Sequence, residues 1–118
     1  STRKFAPAIA CVHQRYAQAL QVADLAAACG LSPSRFAARF RQLTGCAVMH
    51  YLRRHRVAQA RGLLAAGELE LAEIAGRCGF ADAFHLSKVF RLVDGRTPSE
   101  FRRQAREAEA ATRTALDA

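Results

Sequence analysis

The side chains with the clearest chemical capacity are arginines. Of 118 residues, sixteen are arginine and two are lysine, against ten acidic residues, for a formal net charge of +8. A guanidinium forks onto phosphate oxygens or a guanine edge through two parallel hydrogen bonds, whereas an ammonium acts as a point charge, so an arginine-dominated excess suits nucleic acid. Placement sharpens the point. From Leu25 through Gly67 there is no Asp or Glu, while Arg35, Arg39, Arg41, Arg53, Arg54, Arg56 and Arg61 all fall there. Unopposed charge of this kind repels itself in a small fold unless a polyanion uses it; a merely solvated basic surface is the plainer alternative.

Other chemistries find little support. Cys11, Cys29, Cys46 and Cys78 lack CxxC spacing, and none has a histidine at the offset of a zinc site. With no secretory signal they are expected to be reduced thiols, and Cys29 and Cys78, each just before a glycine, to be small buried side chains. Cys11 and Cys46 are formal nucleophiles, but neither neighbourhood plainly lowers a thiol pKa, although Cys46 sits in the basic region. Glu68, Glu70 and Glu73 crowd a predicted helix start, where carboxylates serve the dipole. No catalytic residue, metal or cofactor is therefore expected. There is no long apolar run or Lys-rich amphipathic stretch, so the expected location is cytoplasmic.

The elements that must position the arginines follow from an internal repeat. The stretch from Val22 to Leu31, VADLAAACGL, is echoed by LAEIAGRCGF from Leu71 to Phe80. With one extra residue after Phe80, Phe36 and Phe40 then correspond to Leu86 and Phe90, Gly45 to Gly95, and Tyr51 to Phe101. In each copy an apolar stripe marks a short helix that stops at a glycine able to take the left-handed conformation, Gly30 or Gly79. A corner residue follows, Leu31 or Phe80, and then a second helix. Ser32 and Pro33 supply an N-cap and a preorganised first residue for the first of these, with Phe36, Phe40 and Leu43 expected to point inward. Two short helices joined by a glycine turn make a helix-turn-helix.

Ala47 to Ala66 reads as one longer helix with Val48, Tyr51, Leu52, Ala60, Leu63 and Leu64 on its apolar side. At about 1.5 Å per residue it spans on the order of 30 Å, close to the roughly 34 Å between successive major grooves on one face of DNA. Ile9, Val12, Tyr16 and Leu20 form a stripe ahead of the first copy. Thr97 to Glu100 is a capping box opening a last helix through about Arg106. The expectation is a single all-α domain over 1–118 with seven helices. A first helix-turn-helix lobe covers 9–46, a linker helix 47–67, a second lobe 68–106 and a frayed tail 107–118.

Helical steps of about 100° per residue assign the faces. With Phe36 inward, Ser34, Ala38 and Arg41 lie opposite, and Arg35, Ala37 and Gln42 at the edges. Ser34, Arg35, Ala37 and Ala38 are the base-contact candidates, the alanines allowing close approach and contact with thymine methyls, and Arg41 is a phosphate candidate. Arg39 turns toward the apolar side, so its stem should pack there. In the second copy Phe84, Lys88 and Arg91 face outward, flanked by His85, Ser87 and Leu92. Base candidates there are Phe84, His85, Ser87 and above all Lys88, with Arg91 on phosphate. Phe84 could equally bury against the other copy, and a lone histidine such as His85 is more often plain surface. Arg53, Arg54 and Arg56, with Arg102 and Arg103, are the remaining phosphate candidates, which position a protein without reading sequence. Arg56 lies on the Leu52 to Ala60 side, where an anchoring role is as reasonable.

At this point the residues resemble the AraC/XylS family of bacterial transcription regulators, over about Ile9 to Arg106. The most specific parts are YLRRHRVAQARGLL from Tyr51 to Leu64, similar to the family's linker helix, and the stretch from Ile74 through Gly79, Phe80 and Phe90 to GRTPSEFR at Gly95 to Arg102. Departures are Val48 for a frequent proline, Gln21 for a capping hydroxyl residue and Ala38 for a frequent arginine. The resemblance implies the carboxy-terminal, homeodomain-like DNA-binding domain of an activator: two recognition helices in successive major grooves of double-stranded DNA, with RNA polymerase as a further partner. Because relatives carry an effector or dimerisation domain and Ser1 is not methionine, the chain reads as a fragment. Competing readings are a helical adaptor for an acidic protein and an accessory domain of a DNA-repair enzyme.

Overall fold

In the computed structural model, which describes residues 2–117, the described residues form a short 3-10 turn (Thr2–Phe5) and seven α-helices, without a strand. The helices are α1 (Ala6–Arg15), α2 (Val22–Ala28), α3 (Pro33–Thr44), α4 (Val48–Ala66), α5 (Leu71–Cys78), α6 (Ala83–Asp94) and α7 (Pro98–Asp117). The chain divides into two compact units, 1–56 and 57–118, and α4 belongs to both.

The first unit closes around Phe5, Val12, Leu25, Phe36, Phe40 and Leu52. Phe5 meets both Phe36 and Phe40 edge-on, at centroid distances of 5.7 and 5.5 Å, an arrangement that aromatic quadrupoles favour. Phe5 was not among the expected core residues, because it precedes any readable periodicity. Gln21, the residue standing where a hydroxyl cap was expected, offers its amide N–H to Asp24 Oδ2 at 2.8 Å, so α2 starts on the acidic half of a capping box. The α2 end is a glycine turn: Gly30 has φ of +67°, and the Leu31 amide bonds back to the Ala26 carbonyl at 3.0 Å. Ser32 Oγ then accepts from the Arg35 amide at 3.3 Å and starts α3.

The second unit repeats this plan around Val57, Leu64, Ile74, Phe80, Leu86 and Phe90. The Phe80 amide bonds to the Ala75 carbonyl at 2.9 Å. After the extra residue, Ala81, Asp82 stands where Ser32 stands in the first copy, and its Oδ1 accepts from the His85 amide at 2.8 Å and caps α6. Thr97 Oγ1 accepts from the Glu100 amide at 3.1 Å at the start of α7.

Three expectations are corrected. Leu43 is 47% exposed rather than inward-facing, because α3 ends one residue later and the last turn leaves the core. Val57, omitted from the α4 stripe, is fully buried. Beyond Arg106, α7 continues to Asp117 where a frayed tail was expected. All side chains from 107 to 117 are exposed, so no core holds them. Alanine-rich composition and the Arg113–Glu109 and Arg103–Glu107 pairs at i,i+4 spacing, 3.1 and 3.8 Å, supply the local support.

Candidate nucleic-acid interface

In the first unit, the fully buried Phe36 and Phe40 set the rotation of α3. Ser34, Arg35, Ala38, Arg41 and Gln42 are consequently exposed, and Ala37 is half-buried at their edge. Arg39 is half-buried beside the core. The exposed side combines small residues with arginines that make no hydrogen bond or ion pair to other described residues.

In the second unit, Leu86, Val89 and Phe90 are buried and turn Phe84, His85, Lys88, Arg91 and Leu92 outward, with Ser87 half-buried. Phe84 is 77% exposed. His85 is partly committed: its Nδ1 accepts from the Ala81 amide at 3.2 Å, and the ring meets Phe80 edge-on at 5.5 Å. In the neutral ring this assigns the proton to Nε2, the nitrogen left to face outward.

The seven predicted phosphate arginines separate into two kinds. Arg41, Arg53, Arg54 and Arg91 are exposed and unpartnered, and Arg103 is exposed with only the loose pair to Glu107. Arg56 and Arg102 are engaged within the fold, Arg56 in the anchoring role that its side of α4 had offered as an alternative. Arg56 donates from Nε to the Tyr16 carbonyl at 2.8 Å and from Nη2 to the Gln18 carbonyl at 2.9 Å, tying α4 to the chain leaving α1. Arg102 donates to the carbonyls of Leu64 at 3.3 Å and Leu69 at 2.6 Å, completing the end of α4 and the loop beyond it. The Tyr16 and Leu64 carbonyls lie at helix ends, where helix geometry leaves them open, and those of Gln18 and Leu69 lie in the loops that follow.

Sequence reasoning missed a polar centre that stabilises the second unit. The Asp94 side chain is only 2% exposed and accepts from Arg61 Nε at 2.9 Å and from Arg96 Nε and Nη2 at 2.7 and 3.0 Å. Arg96 also lies 4.8 Å over the Phe101 ring. The Arg96 hydrogen bonds, then those of Arg61, hold the Asp94 carboxyl below its ordinary range although burial opposes them. Asp94 sits 33 residues from Arg61, so no local spacing announces the pair. A second missed cluster lies in the first unit. The rings of His13 and His55 are 4.2 Å apart, Tyr16 meets His55 edge-on at 5.0 Å, and His13 Nε2 is 2.9 Å from the Tyr51 hydroxyl.

Two exposed helices, each set behind a glycine turn and held by its own core, define a tandem helix-turn-helix DNA-binding protein. A family model described as a helix-turn-helix domain matches residues 25–104. Among solved structures the chain is similar to the DNA-binding domain of AdpA in complex with a target DNA, with 34% identity and a TM-score of 0.82 over 89% of this chain and 95% of that one. It is also similar to an AraC-type regulator from Chromobacterium violaceum, with 27% identity and a TM-score of 0.82 over 88% and 93% of the two chains. The chain belongs to the AraC/XylS family of transcription regulators and is a DNA-binding module of that family. It is 43% identical over 65 residues to the transcriptional activator RhaR of Yersinia pestis (strain Angola), over 55% of this chain and 22% of that protein. To RhaR of Enterobacter sp. (strain 638) it is 44% identical over 70 residues, 59% and 25% of the two. It thus spans about a quarter of the length of these relatives. No described helix is long and apolar enough to cross a membrane.

Proposed function

We propose that α3 and α6 read one specific duplex by entering successive major grooves. Ser34, Arg35, Ala37 and Ala38 meet base edges from α3, and Phe84, His85, Ser87 and Lys88 from α6. Arg41, Arg53, Arg54, Arg91 and Arg103 meet phosphates, while Arg56 and Arg102 act through the fold. The observation that carries this reading is the set of exposed, unpartnered arginines around the outward side of α3 in an acid-free stretch. Such groups give up little on meeting a polyanion, since they have no internal partner to leave. In the whole protein, an effector or dimerisation domain accompanies this module and bound RNA polymerase is the target of activation. The relatives' longer chains and the activator RhaR support that step.

Selection from random duplexes tests the reading. Enrichment of two half-sites about 10 to 10.5 base pairs apart, centre to centre, is the expected outcome. Arg35→Ala should then change base preference, and Arg53→Ala should weaken every duplex alike. An unenriched pool would overturn sequence-specific reading, and enrichment of a single half-site would refute two-motif reading.

A further inference from the structure

Beside the exposed side of α3 lies an apolar depression of about 350 Å³, walled by Val22 from the start of α2, Ala37 and Ala38 from α3, and Met49 from the start of α4, with Arg41 also lining it. Neither Val22 nor Met49 belongs to a recognition helix. We propose that this depression is a thymine reader: it receives the C5-methyl group of a thymine in the half-site bound by the first unit, and Val22 and Met49 determine specificity together with Ala37 and Ala38. This rests on the DNA-binding reading above and adds to it a base identity and two residues.

The chemistry of the walls selects the occupant. In the major groove each base edge presents hydrogen-bonding atoms, and thymine alone adds a methyl. Val22, Ala37 and Ala38 offer no side-chain donor or acceptor and Met49 only a weakly accepting sulfur, so a purine edge or a cytosine amino group pressed against them would lose water for little return. A methyl loses nothing and gains dispersion contacts. The Met49 thioether is flexible enough to close around it. Charge brings the right polymer to the spot: Arg41 carries its cation into the lining, Arg35 is exposed on the same helix, and the single acidic residue of the unit, Asp24, is engaged at the α2 cap.

The test compares the enriched duplex with versions in which each thymine of the first-unit half-site is replaced in turn by deoxyuridine, which deletes only the methyl. Loss of one buried methyl should weaken binding about fourfold at one or two positions. Met49→Ala should shrink that thymine-to-deoxyuridine ratio to below about twofold while helix content at the binding temperature is retained. Met49 is half-buried, so Ala38→Asn, a change at an exposed position, serves as the second variant. It sets an amide across the depression and should abolish the methyl preference. Equal binding of every deoxyuridine duplex overturns the proposal while leaving DNA reading intact. Full methyl discrimination in both variants overturns it too. A selection that enriches nothing removes the DNA reading and the thymine reader together.

Discussion

Asp94 has a part out of proportion to its size, because it is the nearly buried acceptor for two guanidiniums anchored on different elements, Arg61 on α4 and Arg96 in the loop before α7. Both arginine side chains remain more than a third exposed, at 37% and 39%, and can turn to water if the carboxylate is lost. Asp94→Ala should therefore cost about 2 kcal/mol, the range for hydrogen bonds to charged groups, rather than the larger penalty of stranding a buried charge. Denaturant unfolding checks this, and a change below about 0.5 kcal/mol would show that the triad is decorative. The same contrast explains which residues were legible in the sequence. Faces of α3 and α6 follow from a 3.6-residue period, so Phe36 and Leu86 alone orient their neighbours correctly. Periodicity put Arg56 on the apolar side of α4 and so offered an anchoring role for it, but nothing local reveals which carbonyls, those of Tyr16 and Gln18 for Arg56 or Leu64 and Leu69 for Arg102, come within reach. Residues whose role is set by partners more than 30 positions away escape a reading built on periodicity.

Between elements, the α1 to α4 contact contains a pH-sensitive histidine, His55. His55 Nε2 is buried without a hydrogen-bond partner, and burial first and His13 second hold the imidazole below its ordinary 6.5. The charged residues beside these histidines in sequence are cations, Arg15 on α1 and Arg53, Arg54 and Arg56 on α4, and Tyr16 meets the His55 ring while Tyr51 meets that of His13. The unfolded chain takes up the His55 proton before the folded one does. Stability of the first unit is accordingly full above about pH 6.5 and declines as pH falls through that value, levelling off only below the folded pKa. Asp94 behaves differently, since its depressed pKa preserves its contribution until pH falls below about 3.8. Tyr16 and Tyr51 are the chain's only tyrosines, there is no tryptophan, and both belong to the first unit, so tyrosine fluorescence reports that unit selectively. Its melting midpoint should be lower at pH 5.5 than at 7.5, and His55→Leu should flatten the difference. An equal midpoint at both pH values would sink this account. Helix starts and stops were largely legible because Gly30, Gly79, Ser32 and Pro98 are local signals. The α7 extension was not, because an alanine-rich segment without an apolar face gives periodicity nothing to detect, although its i,i+4 ion pairs were present in the sequence.

Across the whole molecule, the charge is distributed so that the two units contribute different terms to binding. Residues 1–56 carry nine basic residues and one acidic, and 57–118 carry nine and nine. Internal pairing widens that gap: Arg77 is held by Glu73, Arg96 by Asp94 and Arg113 by Glu109, while Arg102 is spent on carbonyls. Among the described residues, Lys88, Arg91 and Arg106 remain unpartnered in the second unit, against Lys4, Arg35, Arg39, Arg41, Arg53 and Arg54 in the first. Counterion release makes this measurable, because each neutralised phosphate adds about 0.9 to the slope of log affinity against log salt. With Arg41, Arg53, Arg54, Arg91 and Arg103 on phosphates, the slope should be about −4 to −5. Arg53→Gln and Arg54→Gln should each reduce its magnitude by about 0.9, while Arg56→Gln and Arg102→Gln lower melting temperature and leave the slope unchanged. If instead Arg56→Gln flattens the slope as much as Arg53→Gln does, its two carbonyl bonds must give way when DNA binds, and the separation of structural from phosphate-facing arginines fails.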